Sequence, residues 1–440
     1  MPIVPIGSAV LQVPEMNSPD FILQLVKQIE GEIPEIVKRF IDQSLETEVE
    51  RLLGRKWYQR RKKAKRQEQG TYCSQCRSHQ RQNFRRNGHY SRSLLTRYGQ
   101  VILFMPQVEC CCGGNVQVKY QTVRPRQRIW EDVKLEIQAE YGRGLSYRQI
   151  KVDLDQCMGS SLGLRTLNQC VLEKGASGEY FSSWYPGEGP PVVRMDGIWI
   201  TVMSTTGEQK TDALGRKRPV KKSKRIPILA AQGVWPTTGK TQLLAWMRAD
   251  GEDLNSWRSF LERLYESGLT PENGLKLLVA DGSTGFRSAY ESVYWMVPFQ
   301  SCVFHKLHNV ARALHTPAEL DCEAGKEYRT QILRAASQIW QAPDEDQARQ
   351  TFTQFCETWQ KAQPKAIQTL QREFVDTLAF FAVQQAAAER NEHWPAYRLR
   401  TTSPLERMFR EFRRRYRSAL LFHSEAGALA TTAQIAARFS

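Results

Sequence analysis

The chain has 440 residues, 41% of them hydrophobic, with 62 Lys and Arg against 46 Asp and Glu for a formal net charge of +16. That length predicts two to four domains, and the charge predicts a polyanionic partner without bearing on fold. No run of about 18 apolar residues occurs, and no charged segment leads into an apolar stretch at the start, so neither a membrane span nor a leader is expected and the protein is expected in the cytoplasm. Ten cysteines are too sparse for a disulfide scaffold, and five of them fall between Cys73 and Cys112.

Charge is unevenly spread. Residues 1–50 hold nine acids and three basic residues, whereas 51–100 hold fifteen basic residues and one acid, Glu68. Phe21, Ile22, Leu25, Val26 and Ile29 recur at helical spacing, as do Ile36, Val37, Phe40 and Ile41, with Pro34 separating the runs. Residues 1–70 therefore read as a helical N-terminal segment, acidic and then basic. It ends in the run Arg60 to Arg66, either a phosphate-contacting patch or a charged helix end.

Cys73 and Cys76 form a C-x-x-C, and Cys110, Cys111 and Cys112 follow after two strand-like runs. Two cysteine knuckles bridged by a hairpin are the ingredients of a zinc-ribbon-like β module, placed at 71–126. A structural Zn²⁺ held by four thiolates would replace much of the core that so small a module lacks. Cys110 and Cys112 are the favoured partners of the first pair, although Cys111 could replace either; buried free thiols are the alternative. Residues 127–174 read as a helix-turn-helix. Ser146 is a candidate cap, Met158 and Gly159 a turn, and Arg165, Asn168 and Gln169 lie on a third helix suited to base-edge contact. Any three-helix unit would show a similar pattern.

Gly175 to Pro191 reads as a linker. Beyond it, an apolar strand carries Asp196, followed by Gly197. A very basic loop, Thr211 to Arg225, holds Lys217, Arg218, Lys221 and Lys222. Strands Ile226–Trp235 and Thr241–Ala249, a helix near Leu254–Tyr265, and a strand from Leu275 into Asp281 follow. A helix at Thr284–Tyr294 and a fifth strand at Phe299–Phe304 complete the series. Three strands, a helix, a strand, a helix and a strand is the order of an RNase H-like fold, so 190–315 is read as the first part of such a core.

A carboxylate inside an apolar strand is costly unless it is partnered, and two brought together repel; a divalent ion such as Mg²⁺ or Mn²⁺ reverses that sign. The third acid is expected at Glu406. By position alone, Ser403, Pro404 and Glu406 also fit a capping box, in which Glu406 would serve only a backbone N–H. The surrounding Arg407, Arg410 and Arg414 favour a scissile phosphate held nearby. The interval from Asp281 to Glu406 requires a helical insertion, placed at 316–398 with its own apolar core, and 399–440 returns as the C-terminal helices of the catalytic core. Cys302 and His305 form a C-x-x-H at the end of the fifth strand. Contact with DNA, orientation of a carboxylate and a satisfied core histidine stay open for His305.

These blocks together resemble the Mutator type of bacterial insertion-sequence transposases, with a DDE catalytic core. The resemblance rests on Arg86–Gln107, on MDGIW around Asp196, on VADGSTGFRSAY around Asp281, on QSCVFHKLHNVAR, and on SPLERMFREFRRR around Glu406, and it covers most of 50–425. It implies an α/β, RNase H-like core with a helical insertion, and catalytic roles for Asp196, Asp281 and Glu406 holding two Mg²⁺ ions. It further implies double-stranded DNA partners, namely terminal inverted repeats and target DNA, and at least a homodimer, in a cytoplasmic, nucleoid-associated setting. The C-x-x-H at Cys302 and His305 is a signature of that group. Two departures are present: Ser403 stands where the final motif usually has Asn, and the cysteine module is not general in the group. The rival expectations are a transposase-derived regulator that binds without cutting, a structure-selective nuclease of the same fold, and a zinc-dependent regulator.

Overall fold

Apolar residues at helical spacing carry α1 (Phe21–Leu53) through Pro34, where the sequence predicts a break. Ile41, Leu45 and Val49 are buried downstream of the proline, and their packing holds the helix together. The computed structural model describes residues 21–56, 59, 71–159, 162–185, 187–418 and 422–440, so the basic run from Arg60 to Arg66 lies outside the described residues. The chain divides into two units, Met1–Cys170 and Val171–Ser440.

In the first unit, β1 (Tyr72–Cys73), the hairpin β2 (Phe84–Thr96) with β3 (Gly99–Cys110), and β4 (Val116–Gln117) are all antiparallel. α1 lays Ile41 and Leu45 on Leu94, Val101 and Leu103, and Val49 and Leu52 on Phe84, Val108 and Val116. Acids of α1 are used internally. Asp42 accepts from the Phe104 N–H at 3.1 Å, and Glu48 accepts from Gln121 and Thr122. α2 (Glu131–Arg143) and α3 (Tyr147–Met158) follow, and α4 (Leu164–Lys174) runs across the division between the units. Ser146 caps α3 in a capping box with Gln149, and Gly159 closes it with φ 60°.

The second unit is a six-stranded mixed sheet covered by helices. Its strands are β5 (Glu179–Phe181), β6 (Val192–Thr211), β7 (Lys217–Val234), β8 (Thr241–Arg248), β9 (Leu277–Ala280) and β10 (Phe299–Ser301), in the order β10-β9-β6-β7-β8-β5. β6, β7, β8 and β5 pair antiparallel in that order, while β9 and β10 run parallel to β6. From Ile226 to Val234, β7 is buried at every position, as a central strand covered on both faces must be. Its helices are α5 (Leu254–Glu266), α6 (Thr284–Val293), α7 (Val303–Ala313), α8 (Cys322–Gln338), α9 (Glu345–Trp359), α10 (Pro364–Gln371), α11 (Ala379–Ala388), α12 (Ala396–Leu399), α13 (Ser403–Ser418) and α14 (Glu425–Ala436).

Four sequence expectations are corrected here. The linker contributes an edge strand, because Glu179–Phe181 pairs with Ala245–Met247. The basic loop is instead a β-ribbon, since the pairing of β6 with β7 continues to Thr211 opposite Lys217. The fifth strand stops at Ser301, and Cys302 caps α7, so His305 lies on a helix. The core of the 316–398 helices is not separate from the sheet: Trp340, Phe355, Leu378 and Phe380 share one cluster with Val192, Leu277 and Val279.

Candidate active site and cysteine cluster

The parallel register positions two acids. Arg194 on β6 lies opposite Val279 on β9, and two residues further along each strand stand Asp196 and Asp281. Gly197 donates its N–H to Asp196 Oδ1 at 2.9 Å. Burial pushes the Asp196 carboxyl up to about 7; His305 and that N–H oppose the rise, while Glu406 and Glu252 add to it. Asp281 is more exposed, just past the end of β9.

Glu406 arrives from α13, whose Leu405, Met408, Phe409 and Phe412 pack on Ile198, Ile200 and Ile228 of the sheet. The capping-box alternative does not form. Thr402 starts the helix, its carbonyl accepting from Leu405 and Glu406, and the Ser403 hydroxyl is engaged with Thr401 Oγ1 at 2.8 Å. The Glu406 carboxylate turns instead to His305, with Oε1 3.4 Å from Nε2, and Oε1 is buried without a hydrogen-bond partner. Asp196, His305 and Glu406 each offer an atom within 4.8 Å of the other two; Asp281 lies outside this triplet.

The surroundings of His305 favour its protonated form. Burial works against its charge, but Cys302 beside it and the carboxylates of Asp281 and Asp196 outweigh burial and push it up to about 9. In the i, i+3 arrangement, Cys302 does a different job. Its Sγ accepts from Thr402 N and Thr402 Oγ1, each at 3.3 Å, fastening the chain just before the helix that carries Glu406.

Two residues escaped the sequence reading. Glu252 lies against Gly197: a Cβ added there would come 2.9 Å from Glu252 Cδ and closer still to its Oε1. Burial raises its carboxyl, the Trp199 side chain lowers it, Asp281 raises it and His305 lowers it, so it belongs to the same acidic group. The only sequence signal was the acid-rich Asp250–Asp253, which reads as a helix start, and Asp253 indeed caps α5. Arg194 is 1% exposed and donates to the Arg398 carbonyl at 2.7 Å, with burial lowering its guanidinium to about 10. Of the expected phosphate contacts, Lys217, Arg218, Lys221, Lys222, Arg407, Arg410 and Arg414 are exposed. Arg218 bonds Asp212 at 2.8 Å, and Arg414 bonds Glu411 at 2.8 Å. Arg165, Asn168 and Gln169 are exposed on α4, while Leu167, Cys170 and Val171 face inward.

In the first unit, Cys73, Cys76, Cys110 and Cys112 each present Sγ within 4.8 Å of the others, with Cys73 to Cys112 at 3.4 Å and Cys76 to Cys110 at 3.7 Å. Cys111 is exposed and lies outside this group. Backbone N–H groups lower Cys73 to about 6, whereas burial raises Cys110 to about 12. Gly114 leaves the cluster its room, because a Cβ there would lie 2.6 Å from Cys73 Sγ.

Residues 16–438 match the profile of the family described as Transposase, Mutator family, and the chain belongs to that family. It is 28% identical over 341 residues to the transposase for insertion sequence element IS406 of Burkholderia multivorans, a match covering 76% of each chain. It is also 23% identical over 346 residues to the transposase for IS256 in transposon Tn4001 of Staphylococcus aureus, covering 78% of each. Among solved structures, the Drosophila P element transposase strand transfer complex aligns with a TM-score of 0.42 at 10% identity, covering 70% of this chain and 91% of that one. Among the described residues, no helix is long and apolar enough to cross a membrane.

Proposed function

We propose that this transposase binds the terminal inverted repeats of an insertion sequence, cleaves DNA at its ends and joins the 3′-ends to target DNA, as a homodimer or larger assembly. The observation that carries the reading is the meeting of Asp196, His305 and Glu406 at the interior strand β6, with Asp281 just past the end of the neighbouring parallel strand β9. The strand order, three antiparallel strands and then two parallel ones reached through helices, supports an RNase H-like core.

The donor set fits two Mg²⁺ or Mn²⁺ ions: the carboxylates are hard oxygen ligands, and the buried Glu406 Oε1 has no hydrogen-bond partner. Asp196, Asp281 and Glu406 would hold them. When bound, such ions supply activation of the attacking water or 3′-hydroxyl and charge neutralisation at the leaving oxygen. The chain's own residues do the rest. His305 offsets the mutual repulsion of the acids, Cys302 fixes the approach of the Glu406 helix, and the α13 arginines present cations to the phosphodiester backbone. The four thiolates of Cys73, Cys76, Cys110 and Cys112 fit a structural Zn²⁺, with Gly114 clearing the space beside them.

The test is Mg²⁺-dependent nicking and strand transfer of a duplex carrying an element end. Asp281→Ala is expected to abolish both while retaining DNA binding. Nicking without joining would identify a structure-selective nuclease instead, and binding with no nicking by the wild type would identify a regulator.

A further inference from the structure

The far half of the β6–β7 hairpin has no role in the sheet. β7 contacts β8 only from Ile228 to Val234, and β6 contacts β9 only from Val192 to Arg194. The last tethers are Met203 N to the Phe422 carbonyl at 2.8 Å and Lys221 Nζ to the His423 carbonyl at 3.2 Å. Beyond them, among the described residues, the two strands pair with each other alone. Every residue from Ser204 to Thr211 is exposed. An isolated two-stranded ribbon is marginal in water, so this one is shaped for a partner.

The partner's chemistry follows from the side chains. Between Ser204 and Arg225 stand eight basic residues, Lys210, Arg216, Lys217, Arg218, Lys221, Lys222, Lys224 and Arg225, against two acids, Glu208 and Asp212. Asp212 is already engaged inside the turn. Its carboxylate accepts from the N–H groups of Leu214 and Arg216 at 3.0 and 2.9 Å and from Arg218 Nε at 2.8 Å. The ribbon edges are also guarded against another strand by Pro219, by the lysines, and by a bulge where the register slips between Thr205 and Gln209. Recognition through backbone pairing is thereby disfavoured, and recognition of a polyanion through cations is favoured. The turn fixed by Asp212 holds one apolar side chain outward: Leu214, 73% exposed, at the tip between basic flanks.

We propose that this ribbon is an arm that follows the DNA minor groove and inserts Leu214 between two base pairs, unstacking them and bending the duplex. A cationic ribbon ending in an apolar wedge is the combination that such bending requires, with phosphate contacts along the sides and an apolar side chain opening the step. Seven residue steps from Ser204 to Thr211 extend it by about 20 Å, comparable to the width of a duplex. The proposal deepens the reading of the chain as a DNA-acting protein, and it specifies how one surface engages the duplex before any strand is cut.

The experiment uses the full chain in EDTA, so that binding and bending are read without cleavage. Linear duplexes from the element end carry 2-aminopurine scanned along the sequence and a donor–acceptor dye pair at the termini. The wild type is expected to raise 2-aminopurine fluorescence at one step and to shorten the end-to-end distance. Leu214→Ala should lose both signals and weaken binding, because the contacts that the bend permits are lost with it, while Leu214→Met retains them. Combined Lys217→Gln, Arg218→Gln, Lys221→Gln and Lys222→Gln should flatten the slope of log affinity against log salt by about 3.6, at about 0.9 per phosphate released. Unchanged fluorescence and bending in Leu214→Ala overturn the wedge. An unchanged salt slope overturns the arm. Conversion of a dimer to a monomer by Leu214→Ala with the DNA signals intact overturns both, and assigns the tip to a second copy. Asp281→Ala should keep every binding signal, so loss of cleavage and loss of the arm are read separately.

Discussion

Replacing Asp196 by Asn should stabilise the protein in the absence of divalent ions while abolishing its chemistry. The Asp196 carboxyl stands at about 7 in the folded chain against an ordinary 3.8. An acid whose folded value is raised binds more protons folded than unfolded, so its cost is absent below pH 3.8, grows between pH 3.8 and 7, and is fully present above 7. A rise of about 3 units corresponds to about 4 kcal/mol at pH 8. That rise is already net of the attraction to His305, so the expected gain is at most about 4 kcal/mol. Asn retains the oxygen that accepts from the Gly197 N–H, so the strand geometry is preserved. Urea unfolding of both proteins in EDTA at pH 8 and at pH 4 measures the difference. A variant no more stable than the wild type at pH 8, or equally stabilised at both pH values, would refute the reasoning.

Two further outcomes follow from glycines at the two clusters. Gly197→Ala should push the Glu252 carboxylate out of the acidic group and lower Mg²⁺-dependent nicking by at least about tenfold, with folding stability altered by less than about 1 kcal/mol because a flexible side-chain end gives way. In a double-mutant cycle the alanine should add nothing once Glu252→Ala is present; additive losses would assign the effect to the backbone instead. Gly114→Ala should crowd Cys73 and cut zinc retention, expected at about one ion per chain, to near zero in a colorimetric release assay. Undiminished retention would show that the cluster tolerates the added carbon.

Strands with continuous apolar runs were legible, and so were the acids lodged in them. Asp196 and Asp281 stand out because a charged residue after Val193 and Met195, or after Val279 and Ala280, contradicts its surroundings. Helix α5 announced itself through Trp257, Phe260, Leu261 and Leu264. Three features were hidden for physical reasons. Glu252 precedes a capping aspartate, and local sequence cannot distinguish an acid serving a helix end from one folded back onto a strand more than fifty residues earlier. The ribbon was hidden because dense charge resembles a loop when no apolar face alternates with it. The dual role of Cys302 and His305 needed the fold, because only the arrival of Thr402 and Glu406 from about one hundred residues downstream gives each its partner. Glu406 meets Asp196 and His305 only in the fold, and the capping alternative was separable only by seeing Thr402 take the cap.

The shared cluster beneath the sheet bears on how such chains can be recombined. Because Trp340, Leu378 and Phe380 complete the packing of Val192, Leu277 and Val279, and the Arg194 guanidinium reaches across to the Arg398 carbonyl, the 316–398 helices are not a detachable module. A chimaera that grafts this region from a relative would strand a buried cation and leave the underside of the catalytic strands uncovered. Exchange between family members should succeed only when Arg194 and its apolar neighbours travel with the graft, so drift in these two stretches is constrained to proceed in step.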